Sequence, residues 1–465
     1  MLGSLACVML LKSYFSLHII TGLIYNRHML DIKFIRENKE IVQAGAKKKR
    51  LDIDIEKLLV LDDERLKQLK EVEELRSEVN RVSNDISRNQ DSASKTQLIE
   101  EMRIVKDEIK IKEEKLKAII KNWQTLMLQI PNVPSPDTPE GPDESGNMVI
   151  RNWGEKPKFD FTPKEHYEIG QKLGVLDNES AAEVSGSRFT YIKGDLVLLQ
   201  FALINFLLEI FTNTKTLEKI AKEKNINVNT KAFIPVIPPF MVKSNTYLKM
   251  ARLDPKEDKY HIEVDDMYLI GSAEHTLGPI HMNQILDEKV MPMRYIGYSP
   301  AFRREAGSHG KDVKGILRMH QFEKLEMESF CLPETSIQEQ EFLIAIQEYF
   351  LQTLNLPYQV VLICTGDMGK PDYRQIDIET WMPGQNTYRE THTADLMTSF
   401  QSRRLNTRVR RTDESIEFVH MNDATACAIG RTLIAIIENY QQANGSVKIP
   451  EVLRKYMGGR DFITQ

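Results

Sequence analysis

Tyr298–Glu326 reads YSPAFRREAGSHGKDVKGILRMHQFEKLE. Alternate residues of a strand share one face, so the spacing predicts that Arg303 and Glu305 point into one pocket. Ala306-Gly307-Ser308-His309-Gly310-Lys311-Asp312 reads as a long hairpin loop. Beyond it Arg318, His320, Phe322, Lys324 and Glu326 alternate on one face of a return strand. A cation beside a carboxylate suits a ligand with both phosphate and amine character. Arginine grips phosphate through its planar fork, and Phe322 offers a flat surface to a purine. The same alternation is also the ordinary pattern of a solvated hairpin face. Pattern alone leaves both readings open.

Outward from this hairpin the body shows strand runs more than regular βαβ units. It contains no P-loop and no GxGxxG. Leu196–Thr212 reads as a buried helix, and helices are expected at 338–354 and 428–444. Ser185–Tyr191 reads as a turn followed by a strand. Ala232–Val242 (AFIPVIPPFMV) reads as a strand broken by proline. Upstream, residues 55–130 are dominated by Glu, Lys, Arg and Leu. Val72, Leu75, Val79, Val82 and Ile86 keep a heptad spacing. Leu98, Met102, Val105, Ile109, Lys112, Leu116, Ile119, Trp123 and Leu126 keep it again, broken only by Lys112. With a polar turn at 87–94 between them, the two runs predict an antiparallel helical hairpin. Exposed cations on it (Lys67, Lys70, Arg76, Arg81, Arg88, Lys95, Arg103, Lys106, Lys110, Lys112) could meet phosphates, or simply be solvated. A dimerising coiled coil is the alternative. Pro131–Glu144 (PNVPSPDTPEGPDE) reads as an extended linker. The expected organisation is an extension at 1–28, a helical arm at 29–130, a linker at 131–146 and a body at 147–465. The expected class is α+β, an antiparallel β-sheet flanked by helices, with an N-terminal helical hairpin.

The 465 residues carry a formal net charge of −5, so nucleic-acid contact would need local basic patches. The four cysteines (Cys7, Cys331, Cys364, Cys427) form no CxxC or CxxH pair. A structural zinc and a disulfide framework are therefore not expected, and a reducing cytoplasm is. Leu2–Tyr25 is apolar but interrupted by Lys12 and His18. It reads as an extension ahead of a displaced start rather than as a signal peptide or anchor, and no membrane partner is expected.

The Tyr298–Glu326 segment resembles motif 2 of the class II aminoacyl-tRNA synthetases in its seryl-tRNA synthetase form, down to the run His320-Gln321-Phe322. The resemblance extends from Met29, where MLDIKFIREN looks like the usual opening of bacterial members, to Gly459. It implies ATP-dependent activation of serine, then transfer to the 3′ adenosine of serine tRNA, with ATP as substrate and Mg²⁺ as cofactor. It also implies a homodimer, with Pro239 at the motif 1 proline of the interface, and an arm that grips the tRNA. Such chemistry needs no covalent enzyme nucleophile. It needs positioning and stabilisation of charge growing on phosphate oxygens. By resemblance Arg303 binds the α-phosphate and the serine carboxylate. Glu305 accepts from the adenine amino group and Arg318 reaches the γ-phosphate. Phe322 stacks on adenine with Arg431, in a motif 3-like Ala428–Leu433, on the other face. Arg303 and Arg431 are the implied catalytic residues. Glu390 and Thr393 are the implied metal ligands. Ser272, Glu274, Glu326 and Thr425 join Arg303 in reading serine.

The chain departs from the family pattern in three places. Ser272 stands where Thr is common. Thr391–Leu396 stands where Ile-Ser-Ser-Cys-Ser-Asn is common. Met421–Ala426 stands where Thr-Leu-Asn-Gly-Ser-Gly is common, which puts Asp423 in place of Asn. These touch the detail of serine recognition and spare the phosphate-gripping residues. Gln401–Arg404 keeps a Gln-x-Arg-Arg element of the family. An amino acid:carrier protein ligase on the same body, and a non-catalytic synthetase-like binding protein, are the competing expectations. The arm argues against the first and the retained arginines against the second.

Overall fold

The computed structural model describes residues 31–88, 91–306 and 314–465. The extension at 1–28, two residues of the arm's turn and most of the loop expected at 306–312 lie outside the described residues. The chain divides into two units, Leu30–Pro131 and Asn132–Gln465.

The first unit is helical: α1 (Ile32–Glu37), α2 (Lys39–Lys48), α3 (Ile55–Arg88) and α4 (Ser92–Gln129). Asp31 starts α1 by accepting from the Lys33 N–H at 2.9 Å. The two long helices fold back on each other, and Arg76 of α3 bonds Glu113 of α4 at 2.7 Å. Val72, Leu116 and Ile119 are buried along the seam. The break at Lys112 is resolved by charge. Its Nζ lies 2.8 Å from Glu71 of the facing helix, so the seam accepts a cation where a carboxylate faces it. Lys112 is half-buried and paired, and it leaves the set of exposed cations for that reason. The turn is shorter than the expected 87–94, because α3 runs on to Arg88 and α4 restarts at Ser92. At the base Phe34, Ile35, Val42, Ala46, Ile55 and Leu58 bury a small core, which heptad spacing alone did not disclose.

The second unit is built on an eight-stranded sheet. Its strands are β1 (Met148–Trp153), β2 (Ile234–Val236), β3 (Met293–Phe302), β4 (Gln321–Cys331), β5 (Tyr358–Leu362), β6 (Arg374–Met382), β7 (Thr387–Thr398) and β8 (His420–Ala428). The order across the sheet is β1-β5-β6-β7-β8-β4-β3-β2. All neighbours are antiparallel except β2 and β3. Helices α5 (Asp195–Thr212), α6 (Ser336–Thr353) and α7 (Ile429–Asn439) pack on it. Among the described residues α5 is the one helix long and apolar enough to cross a membrane. Its Leu199, Leu203, Leu207 and Phe211 are instead buried in the core with Phe342, Phe350 and Leu433.

The expected linker is extended, as its prolines dictate, but it lies along the body. The Asn132 side chain donates to the carbonyls of Pro371 and Met397 at 2.9 Å each, and the Ser135 N–H to Tyr373 at 2.7 Å. The proline-broken segment forms two short strands, Ile234–Val236 and Met241–Lys243. Gly186 ends a short helix, and the strand after it is only Tyr191–Ile192. The helix expected at 428–444 stops at Asn439.

The central hairpin needs a correction. Arg303 and Glu305 do not alternate on a strand, since β3 ends at Phe302 and Glu305 is left-handed at φ 53°. Arg318 and His320 likewise precede β4, which starts at Gln321. The ladder closes at Phe302 opposite Gln321. One further bond, from the Arg303 N–H to the His320 carbonyl at 3.0 Å, continues it before the chains diverge. Gly315 makes the turn leading into Arg318, at φ 70°. A Cβ there would fall 1.9 Å from Nε2 of His166, so only glycine fits.

Candidate active site

The sheet sorts its side chains by parity. On β4, Leu325 and Met327 enter the helix-covered core, which sends Lys324, Glu326 and Glu328 to the opposite face. On β8, Ala424 and Ala426 enter the core, which leaves Asp423 and Thr425 beside them. The register sets Glu326 opposite Thr425 and Glu328 opposite Asp423, with a bulge just before Glu326. Asp395 of β7 lies opposite Asp423 in turn. One face of three strands thus carries a buried polar floor.

At one end of this floor Ser272 Oγ donates to Glu326 Oε2 at 3.1 Å and accepts from Lys324 Nζ at 3.1 Å. Lys324 also pairs directly with Glu326. Burial pushes the Glu326 carboxyl above its usual range, against the pull of Lys324, and its Oε1 has no partner. Glu274 is held the other way. Burial opposes its charge, but Arg252 at 3.1 Å and His275 at 3.2 Å keep it well below the usual carboxylate range. A buried carboxylate oxygen without a partner beside an intact ion pair is an acceptor set waiting for a donor.

Beside this cluster Arg303 Nε donates to the carbonyl of Gly271 at 3.1 Å, and its guanidinium lies 5.4 Å from the centre of the Phe322 ring. Arg303 therefore joins the Gly271-Ser272 wall to the aromatic. Arg318 pairs with Glu305 at 3.3 Å, which brings the two off-strand residues of the hairpin together. Arg431, two residues into α7, donates to the Glu390 carbonyl at 2.8 Å and pairs with its carboxylate at 3.2 Å. Burial opposes the charge on Glu390, yet Arg431 and then Arg303 hold its carboxyl below the usual range. It is Arg303, not Arg431, that lies over Phe322. Thr393 turns its hydroxyl to Asp395 Oδ1 at 3.2 Å.

Three participants escaped sequence reading. Lys324 was visible in the motif but carried no assigned role. Asp377 lies opposite Thr393, and burial with the charges of Glu390 and Asp395 pushes its carboxyl well above the usual range. Nothing in its run, RQIDIET, marks it, since Asp377 and Glu379 alternate with isoleucines as in any half-buried strand. Arg252 sits far from every motif and meets Glu274, Asp372, Asp395 and Asp423 at 3.1 to 3.5 Å.

A largely antiparallel sheet with Phe322 on β4 and Glu390 on β7, Arg303 just past β3 and Arg431 on α7, has the architecture of a class II aminoacyl-tRNA synthetase. Residues 259–440 match the tRNA synthetase class II core domain (G, H, P, S and T), and residues 29–134 match the seryl-tRNA synthetase N-terminal domain. The serine–tRNA ligase of Thermodesulfovibrio yellowstonii is 43% identical over 92% of this chain and 99% of its own length. That of Citrifermentans bemidjiense is 42% identical over 94% and 100%. The structure of seryl-tRNA synthetase from Pyrococcus horikoshii complexed with ATP superposes with a TM-score of 0.81 at 38% identity, covering 93% of this chain and 99% of the other. A cytoplasmic serine–tRNA ligase from Naegleria fowleri in complex with AMP gives a TM-score of 0.78 at 32% identity, covering 94% and 99%. The chain belongs to the seryl-tRNA synthetase family. Its activity is that of a serine–tRNA ligase, which activates serine with ATP and passes it to tRNA. The carrier-protein and non-catalytic alternatives find no support among these relatives.

Proposed function

We propose the following division of labour within that activity. Arg303 holds the serine carboxylate against the α-phosphorus, where the in-line attack occurs. Its contact with Gly271 and its place over Phe322 support this reading, because one guanidinium then spans the amino-acid and nucleotide ends. Phe322 stacks on adenine, Glu305 accepts from the adenine amino group, and Arg318 grips the γ-phosphate. Arg431, near the start of α7, adds a second cation and the helix N-terminal field to the growing phosphate charge. The pairs Arg318–Glu305 and Arg431–Glu390 are those a bound triphosphate would loosen, since its oxygens compete for the same guanidiniums. Glu326, Ser272, Thr425 and Glu274 form the serine niche. A site that hydrogen-bonds the hydroxyl rejects alanine strongly, because its buried polar groups would be left unpaired.

The donor set also suits Mg²⁺, which takes one or two side chains when a triphosphate supplies the rest. Glu390, half exposed and held ionised, would hold it with Thr393, and the ion would neutralise phosphate oxygens. The exposed cations of α3 and α4 would carry the tRNA, since Lys67, Lys70, Arg81, Arg103, Lys106 and Lys110 are all exposed. Ile234, Ile237, Phe240 and Met241 are exposed apolar groups beside the sheet's β2 edge, which fits a homodimer formed there. The described cysteines are free and buried, in keeping with the cytoplasm.

The single observation that carries the reading is Arg303 between Gly271 and Phe322. Replacing Arg303 with Ala should cost about 3 kcal/mol or more of transition-state stabilisation, read as serine-dependent ATP–pyrophosphate exchange. Exchange at the wild-type rate in that variant would refute the pocket assignment.

A further inference from the structure

Arg252 lies in a short connection after the helix Ser244–Lys249, just past Ala251, which is left-handed at φ 57°. Its Nε is 3.1 Å from Glu274 Oε1, and its Nη2 is 3.2 Å from Asp395, 3.3 Å from Asp423 and 3.5 Å from Asp372. Asp372 and Asp423 are 1% and 0% exposed. One guanidinium therefore faces four carboxylates from four separate parts of the chain. A buried charge must be paired to be tolerated, and no other arginine or lysine is paired with Asp395 or Asp423 among the described residues. The cage is also close-packed: a Cβ on Gly369 would meet Asp372 Oδ2 at 2.1 Å and Arg252 Nη1 at 3.1 Å.

The cage is the back wall of the serine niche. Glu274, Glu326 and Asp423 each bring a carboxylate oxygen within 4.8 Å of the other two. Glu326 Oε1 and Asp423 Oδ1 are buried without partners. An α-ammonium has three hydrogens to donate, and this triangle offers oxygens to receive them. Two of the three, Glu274 and Asp423, are held by Arg252.

We propose that Arg252 is the positioning residue of the amino-acid site, fixing Glu274 and Asp423 so that they and Glu326 together grip the substrate's ammonium. The inference rests on the serine niche proposed above. It also accounts for two buried acids on facing strand positions: Arg252 pulls against the burial and neighbouring carboxylates that push the Asp395 and Asp423 carboxyls up.

The test uses the full-length enzyme and serine-dependent ATP–pyrophosphate exchange. Arg252→Met should raise the KM for serine at least tenfold and leave the KM for ATP within twofold. In Arg252→Ala, added guanidinium chloride at low millimolar concentration should restore part of the serine affinity, whereas equal sodium chloride should not. Adding Asp395→Ser to Arg252→Met removes an acid that faces Arg252 but is no part of the ammonium grip, and should recover part of the lost affinity. A purely structural role would lower the melting temperature and total activity without the split between the two KM values and without either rescue. If the Ala and Met variants are insoluble, Arg252→Lys keeps a charge but loses the fork, and should still raise the KM for serine selectively. An unchanged serine KM in a folded Arg252 variant overturns the proposal. Glu326→Gln separates the two readings, because a wild-type serine KM there would refute the niche itself, whatever Arg252 does.

Discussion

Arg303, Phe322, Glu326, Glu390 and Arg431 are singled out in the sequence only through the family motifs that their runs resemble, since each alone also reads as an ordinary surface or paired residue. What the residues could not reveal is where their charges go. Lys324 alternates with Phe322 and Glu326, yet its bonds to Ser272 and Glu326 depend on a wall 52 residues upstream. Arg252 has no local signal at all. Its role is written in four distant acids, which only folding assembles. His420 gives a pH consequence at this scale. It is buried, with Nδ1 2.9 Å from the Ser336 hydroxyl, and burial pushes its pKa down to about 3. An unfolded histidine titrates near 6.5. Between these values the unfolded chain binds a proton that the folded chain refuses, so stability falls as pH drops. The slope from this one residue approaches about 1.4 kcal/mol per pH unit. Denaturant unfolding from pH 6.5 to 4 should show a shallower loss in His420→Gln than in the parent. Parallel curves would contradict the neutral buried assignment.

Among the elements, α6 shows how a helix supports a site through the backbone of its strands. Its Gln347 side chain donates to the carbonyls of Thr393 and Thr425, at 2.8 Å each. Two turns earlier Gln340 donates to the carbonyls of Arg374 and Ala394, at 3.0 and 2.9 Å. The spacing of seven puts both amides on the sheet-facing side. They serve strands whose ladders are interrupted by bulges near Glu326 and Glu379. Read by pattern, α6 is a helix with too many buried glutamines, and the strand carbonyls that they serve are invisible in a linear chain. Gln347→Leu should cost about 1–3 kcal/mol by denaturant unfolding, since two buried acceptors lose their donor. It should also raise the serine KM through Thr425. A neutral effect on both would show that the strands hold their register unaided. The arm was the most legible element, because heptad spacing is a local signal. Its one irregular position, Lys112, is settled by Glu71 on the facing helix.

Across the whole molecule, the class of fold followed from strand runs without βαβ units, and the coordinates add the order of the strands. That order brings Lys324, Glu326, Asp395, Asp423 and Thr425 onto one face of three adjacent strands, although they span 102 residues of chain. The central hairpin differs from the expectation at its tip, where the strands stop a few residues early. Sequence alternation continued past the point where the ladder actually closes, at Phe302 and Gln321. Function survives that error because Arg303 and Arg318 reach their partners from the turn rather than from the strand. We propose that one site of this molecule couples ATP to serine and to no smaller or bulkier neighbour. Its most direct measurement is ATP–pyrophosphate exchange by the purified full-length protein across the twenty amino acids. We predict robust exchange with serine, with alanine, glycine and cysteine at least a hundredfold weaker in kcat/KM. Exchange driven equally well by alanine, or no exchange with serine, would contradict it.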